Sequence, residues 1–381
     1  GAANTSFPRD AAMAVDSMSR PTVAWVEDVL PEGSNYRNPQ LVVQRWSGGQ
    51  WSALGDAAGA PGTRSVTSPS LVMDSSDMPL VAFLQDDVVS VSRWNGTAWQ
   101  SLGPPPALQD SDVPQGVSLA LTPSGQPVVA VATKSHFYRS YDGVPRVYVF
   151  QWNESAWTQL GAPMEAGTGL GAARNPSLAI DRFGRAVVAW DAYNAPSSSI
   201  TRGTVHVFRY EAGQWRRLGG VLNRTPENDY IVAEDPSLVV DPIDGTPSVA
   251  WIDQSWTTTN RTIFVARWSD ANGEWTHLTD NGLDGWVDAS TEAYGPSLAV
   301  GRDGSLVVTW NERSRDTPHF LRKWSGGQWS AFDSNPHGMV SSNYYMDSAL
   351  ALDVWGRPLL MSPISTSSPW RTGFYVRHFA P

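Results

Sequence analysis

The sequence predicts an all-β fold, a seven-bladed β-propeller with four-stranded antiparallel blades, on three observations. A unit of 48 to 60 residues recurs seven times along the chain. Each unit holds four short β-type segments separated by turns. Fifteen of the 19 Trp residues fall at equivalent positions of those segments. The units begin near Ala11, Pro69, Val117, Pro176, Pro236, Pro296 and Ser348, dividing a single domain, 1–381, into 11–68, 69–116, 117–175, 176–235, 236–295, 296–347 and 348–381. Self-similarity at such a period marks units that bury their apolar faces on their neighbours. Four-stranded units close radially with only short edges exposed, whereas an open stack would leave two flat apolar ends in water. Immunoglobulin-type tandems, at about 100 residues per domain, fit this period poorly.

Unit four shows the elements in order. Its first segment, Pro176-Ser177-Leu178-Ala179-Ile180-Asp181, alternates large apolar with small residues, as an inner strand crowded near an axis should. Asp181 and Gly184 then make a tight turn, and Asp16, Asp74, Asp241 and Asp353 occupy the same position elsewhere, accepting local backbone amides. The second segment is β-branched and closes on an aromatic, one of Trp25, Phe83, Trp190, Trp251 and Trp310. The third ends at Trp46, Trp94, Trp152, Tyr210, Trp268 or Trp324, and the fourth opens with Trp51, Trp99, Trp157, Trp215, Trp275 or Trp329. These Trp residues read as packing between blades. Unit seven supplies three strands before the chain stops at Pro381. Its fourth strand comes either from the N-terminal residues 1–10, through a connection shorter than the others, or not at all.

The repeat resembles that of bacterial β-propellers with Kelch-like or sialidase-like four-stranded units, over essentially the whole chain. The resemblance implies the propeller fold and leaves the activity open. The sialidase-type Ser-x-Asp-x-Gly-x-x-Trp box is missing from the turns, as is the Gly-His…Trp-Asp pairing of WD40 repeats.

A formal charge of −10 and a pI near 5.0 argue against nucleic acid and anionic lipid as partners, because both need clustered Lys and Arg. The absence of Cys removes disulfides, thiolate metal sites and Cys nucleophiles from consideration. No apolar run approaches the ~20 residues that span a bilayer, so membrane insertion is not expected. No signal peptide is seen, and the start Gly1-Ala2-Ala3-Asn4 suits a processed N-terminus. The expectation is a monomeric, extracytoplasmic or secreted protein.

Strand direction in an up-and-down blade sends alternate connections to opposite faces. The two-to-three loops and the links between units read as long and dissimilar, and both emerge on one face, the expected binding face. Aromatics outside the repeat gather there: Trp256, Trp286 and Trp370, with Tyr294 and the pair Tyr344-Tyr345, over units five to seven. Buried loop aromatics would give the same pattern; a platform for a sugar ring is the functional alternative. Unit three adds the mixed segment His136–Asp142. Acids close the second strands: Glu27, Asp28, Asp86, Asp191, Asp253 and Glu312. They either cap loop amides or form a carboxylate ring that could take calcium or sugar hydroxyls; no other cofactor is expected.

Chemistry is less legible. The six His residues show no His-x-x-x-His spacing, and Gly-x-Ser-x-Gly and Walker-type loops are missing. Paired carboxylates for glycoside hydrolysis leave no linear signature, so no catalytic residue is assigned. The function read from the sequence is carbohydrate recognition on the long-loop face, with Trp256, Trp286, Tyr294, Tyr344, Tyr345 and Trp370 stacking and Asp253 and Glu312 accepting hydroxyl protons. The alternatives are a polysaccharide hydrolase or lyase on that face, or a scaffold for a protein surface.

Overall fold

Ala186-Val187-Val188-Ala189-Trp190 is apolar throughout and free of Gly and Pro, and it forms the second strand of unit four, Ala186–Asn194. Period-two geometry sends Val188, Trp190 and Ala192 to one face, where they pack on Val128, Ala130, Val147 and Val149 of unit three. Val187 and Ala189 face the other way, onto Leu238, Val249 and Trp251 of unit five. A strand covered on both faces has to be apolar at every position, which is why the second segments read as unbroken apolar runs.

The structure, a computed structural model, describes residues 9–29, 38–55, 64–109, 112–135, 144–165, 170–194, 203–223, 231–255, 261–279, 283, 292–312, 319–331, 348–367 and 370–379. Every regular element among them is a β-strand, and no helix is long and apolar enough to cross a membrane. Consecutive strands of a unit pair antiparallel. Unit one runs Arg9–Val15, Pro21–Val29, Asn38–Ser47 and Gln50–Ala53. Unit two runs Val66–Met73, Pro79–Gln85, Val88–Trp94 and Trp99–Ser101. Unit three comprises Asp112–Leu121, Pro127–Ser135, Arg146–Trp152 and Trp157–Gln159, with Met164–Glu165 folding back on its third strand. Unit four has Leu170–Ile180, Ala186–Asn194, Gly203–Glu211 and Gln214–Arg217. Unit five has Ile231–Val240, Pro247–Ser255, Arg261–Ser269 and Glu274–His277. Unit six has Ala293–Val300, Leu306–Glu312, His319–Ser325 and Gln328–Ala331. Unit seven shows three strands among the described residues, Ala349–Leu352, Pro358–Ser367 and Trp370–His378.

The core lies between neighbouring sheets. First strands of successive units pack on one another from unit one to unit seven, and the first strand of unit seven also packs on that of unit one. There Met13 and Val23 meet Leu359 and Met361, and Trp25 meets Phe374 edge-on at 6.0 Å.

Two hydrogen bonds recur between units. In the inner strands Ser70, Ser118, Ser177, Ser237 and Ser297 each accept, through Oγ, the backbone N–H of a Leu one unit on: Leu119, Leu178, Leu238, Leu298 and Leu350, at 2.9–3.2 Å. In the outer strands the indole N–H of Trp99, Trp157, Trp215, Trp275 and Trp329 donates to a backbone carbonyl of the preceding unit, at 2.6–3.1 Å. The fourth-strand Trp therefore joins units by a directional bond as well as by area. Ser237→Ala removes the acceptor of the Leu298 N–H while changing little volume. Leaving that amide without its partner costs about 1–3 kcal/mol, so the urea midpoint should fall; an unchanged midpoint would show that the inner-strand bond contributes nothing.

The turn reading of the first-strand Asp residues matches the geometry. Asp181 Oδ1 accepts the N–H groups of Phe183 and Arg185, and Asp353 Oδ1 those of Trp355 and Arg357. Gly301 stands at this position in unit six, and Thr122 in unit three.

Three features differ from the sequence reading. First strands begin upstream of the Pro taken as their start, at Leu170, Ile231 and Ala293 rather than Pro176, Pro236 and Pro296. A β-bulge intervenes, with register shifts at Arg174/Ser177, Glu234/Ser237 and Tyr294/Ser297. Asn175 and Asp235 hold φ of 48° and 53° in it. Bulge residues leave the ladder, so the Pro that follows loses no pairing and does not mark a strand end. Unit two lacks a long two-to-three loop: Asp86 and Asp87, at φ 49° and 62°, join Gln85 to Val88 in a two-residue turn. Trp370, read as a loop residue, opens the third strand of unit seven opposite Ser367. Of residues 1–10, proposed to complete unit seven, 1–8 lie outside the described residues, and Arg9 and Asp10 belong to the first strand of unit one.

Candidate functional site

The bulges extend each first strand toward the face where the second strands end. This places Arg174, Asn175, Glu234, Asp235 and Tyr294 at the edge of that face, beside Asp191, Tyr193, Asp253 and Gln254 of the second strands and Arg261 of a third strand. The sequence reading named only Tyr294 and Asp253 of these as ligand-binding residues.

Glu234 of unit five is the centre of the group. One carboxylate oxygen accepts the phenol of Tyr193 from unit four, with Arg174 NH2 4.0 Å away. The other oxygen pairs with the guanidinium of Arg261. Each Arg lies over a Tyr ring: Arg174 3.8 Å above Tyr193, and Arg261 4.3 Å above Tyr294 of unit six. Arg261 also donates to Gln254 Oε1 at 3.1 Å and to the Ala293 carbonyl at 3.0 Å, while the Tyr294 hydroxyl donates to Glu292 at 2.7 Å. Two Arg–Tyr stacks thus flank one carboxylate across three units.

A second carboxylate underlies the first stack. Asp191 has no exposed surface; it accepts Asn175 Nδ2 at 2.9 Å and Arg174 at 3.4 Å. Asn175 reaches Asp235 of the next unit at 2.5 Å. Burial pushes the Asp191 carboxyl up to about 6, against the pull of Arg174. Burial and the Glu234 carboxylate likewise hold the Tyr193 phenol above its ordinary range. Arg174, with 39% of its side chain exposed, is the accessible charge of the cluster, whereas Glu234 and Arg261 keep 12% and 14%.

Elsewhere on this edge, unit three groups Asp112 with Tyr148 and Arg146, at 2.5 and 3.4 Å. Between units six and seven, buried Ser348 lies 2.9 Å from His319 Nδ1 and donates to Asn311 at 3.1 Å.

The proposed hydroxyl acceptors sit deeper than the sequence reading placed them. Asp253, 5% exposed, accepts the indole N–H of Trp251 at 3.0 Å, and Glu312, 1% exposed, accepts that of Trp310 at 3.2 Å. Residues i and i+2 share a strand face, so each acid lies beside its own Trp in the packing between sheets. Asp86 caps the amides of Arg64 and Ser65, both at 2.9 Å. No three His, Asp or Glu side chains among the described residues converge as metal ligands. Trp256, Trp286, Tyr344, Tyr345 and the segment 136–142 lie outside the described residues. Trp370 is placed by its backbone alone.

The Arg–Glu–Arg grouping escaped the sequence reading because its members are 27 to 87 residues apart. A usable signal existed: Arg174-Asn175 and Glu234-Asp235 occupy the same two positions before Pro-Ser-Leu in adjacent units.

No protein-family model and no curated protein matches the sequence. Solved structures do. A Dyadobacter fermentans DSM 18053 protein of unknown function superposes with a TM-score of 0.54 at 12% identity, over 97% of this chain and 94% of that one. A Penicillium chrysogenum alpha-L-arabinanase complexed with arabinobiose gives 0.51 at 12%, over 82% and 93%. A Hadza microbial sialidase gives 0.51 at 11%, over 94% and 76%. At these identities the likeness concerns the fold alone: the chain is an all-β protein of the propeller type.

Proposed function

We propose that this chain is a carbohydrate-recognition module, a single domain whose seven units form a closed ring and whose ligand binds on the bulged, long-loop face. The packing of unit seven on unit one, through Met13, Val23, Leu359 and Met361, supports the ring. The observation that carries the functional reading is the paired Arg–Tyr stack around Glu234. Planar guanidinium forks bond vicinal hydroxyls in pairs, and Tyr faces accept the apolar face of a sugar ring. In this proposal Trp256, Trp286, Tyr344, Tyr345 and Trp370, which the sequence reading assigns to that face, would extend the platform, with Asp253 and Glu312 beneath it. An arabinanase, a sialidase and an ulvan lyase share the fold, which is in keeping with a glycan ligand. The module works outside the cytoplasm and as a monomer in this reading.

A glycan array, read with and without calcium, tests the class of ligand, and Arg174→Ala and Tyr294→Ala test the site. Each substitution should weaken a glycan hit roughly tenfold or more; Arg174→Ala also takes the cation from buried Asp191 and should lower the unfolding midpoint as well. Full binding by both variants would remove the site, and a blank array would remove the glycan. Release of reducing ends or unsaturated products from the bound polysaccharide would replace recognition with hydrolysis or elimination.

A further inference from the structure

Six large apolar side chains are exposed among the described residues, and four of them hold one repeat position on the short-turn face. Met18, Phe183, Ile243 and Trp355 are each the second residue after the turn Asp, between the first and second strands of units one, four, five and seven. They are 59%, 59%, 54% and 69% exposed. An exposed apolar side chain standing alone is ordinary, whereas the same position left exposed in four turns of one face marks an interaction surface.

The turns hold these side chains at one height. In each, Oδ1 of the turn Asp accepts the N–H of the tip residue at 2.8–3.0 Å: Asp16 from Met18, Asp181 from Phe183, Asp241 from Ile243 and Asp353 from Trp355. Tips fixed by the same bond in the same turn project equally far from their sheets. The corresponding tips of units two, three and six are polar: Ser76, Ser124 and Asp303. Units seven and one pack on each other, as do units four and five. In the ring proposed above, the apolar tips therefore form two pairs on opposite sides, with polar tips between them. Contacts on both sides of the axis seat a disc flat, so this face suits a planar partner.

What the tips present selects among planar partners. Arg357 lies 4.5 Å over the Trp355 ring, and Arg182 and Arg185 lie 4.6 and 5.1 Å over Phe183. A sugar ring stacks on an aromatic face. Rings with a guanidinium over them turn their edges outward instead, and Met18 and Ile243 have no face to offer. Apolar edges and tips with guanidiniums just behind them match the boundary between acyl chains and headgroup phosphates. Exposed charges of both signs stand in these turns, Arg182 and Arg302 with Asp244 and Asp303, as suits headgroups that carry both. A chain charge of −10 opposes an anionic bilayer and also opposes a second copy of the chain.

We propose that the short-turn face docks on a zwitterionic lipid surface of the phosphatidylcholine type. Met18, Phe183, Ile243 and Trp355 enter the interface and no segment crosses it. The long-loop face then points away from the bilayer, open to its own ligand.

Co-flotation with phosphatidylcholine vesicles at about 1 mM lipid, a concentration suited to weak interfacial partitioning, is the test. The unmodified chain should float with the vesicles. Phe183→Ser and Trp355→Ser should each lower the partition coefficient roughly tenfold or more, the scale of one inserted apolar side chain. The double variant should stay in the dense fractions. Urea midpoints of these variants should match the parent's because both side chains are exposed, so that lost flotation is not lost folding. Tyr294→Ala, on the other face, should float like the parent, which keeps failure of the glycan reading distinct from failure of this one. No flotation, flotation unaltered in the double variant, or tighter binding to phosphatidylserine than to phosphatidylcholine vesicles would each overturn the proposal. A lipid-free dimer seen by light scattering, or retention on an insoluble neutral polysaccharide, that the double variant loses would also overturn it and assign the face to a second copy or to a glycan.

Discussion

Trp251→Ala should destabilise the protein by about 3–5 kcal/mol, the range for removing a large, fully buried aromatic. Trp251 has no exposed surface; it stacks on Phe264 with ring centroids 5.9 Å apart and meets His277 edge-on at 5.6 Å. Its side chain belongs to the core between units four and five, so truncation opens a void that two sheets would have to collapse to fill. The same change takes the indole donor from Asp253, a second cost of about 1–3 kcal/mol because that carboxylate is buried. Trp251→Phe separates the terms, keeping most of the packing and losing the donor. Trp190 is the internal comparison: it is equally buried, but unit four has Ala192 where unit five has Asp253, and its indole nitrogen has no partner. Trp190→Phe should therefore cost less than Trp251→Phe. Denaturant titrations of the three variants measure all of this. Equal costs for the two Phe variants would show that the Trp251–Asp253 bond adds nothing.

The second large effect is a loss of stability on acidification driven by two buried imidazoles. Burial pushes His206 down to about 3 and His319 to about 4. Both are neutral in the folded protein at neutral pH, whereas an unfolded His takes up a proton near pH 6.5. The stability they contribute is complete above about pH 6.5 and falls as pH drops, by roughly 1.4 kcal/mol per pH unit for each His until its folded value is reached. Asp191 acts in the opposite sense. Its folded value, near 6, lies above the unfolded one, so between about pH 6 and 4 the folded state binds the extra proton and gains roughly 1.4 kcal/mol per unit on acidification. The net expectation from pH 6 to 4 is the loss due to one His. Urea midpoints across this range should decline in the unmodified protein, decline less in His206→Phe and more steeply in Asp191→Asn. An unmodified protein as stable at pH 4.5 as at pH 7, or an Asp191→Asn profile parallel to it, would refute the assignment.

Much of the fold is legible in the linear pattern because its determinants are local. The alternation of Leu178 and Ile180 with small residues, the turn begun by Asp181, and the aromatic pairs closing the outer hairpins of units one to six all act within a few residues. The pairs Trp46–Trp51, Trp94–Trp99 and Trp268–Trp275 lie at ring separations of 5.4–5.5 Å, as a tight hairpin requires. The bulges were hidden by their own Pro: Pro176 and Pro236 look like strand starts because Pro ends most ladders, yet a residue outside the ladder tolerates it. The acids Asp253 and Glu312 were misjudged in depth for a related reason. Spacing tells which face of a strand a side chain occupies, and only the neighbouring sheet decides whether that face meets water or a Trp indole.

The sequence by itself determined the all-β architecture, the antiparallel strand order within the repeated units and the turn role of the first-strand Asp residues, since all of these rest on short-range periodicity and backbone hydrogen bonding. Tertiary structure alone decided that Arg174, Glu234 and Arg261 form one cluster, that Asp191 is dry enough to rise to about 6, and that Gly301 faces Val15 and Leu352 across a cavity. Those outcomes depend on which unit lies against which, and on how much water each contact excludes. Interactions between units 60 residues apart leave no imprint on any local spacing.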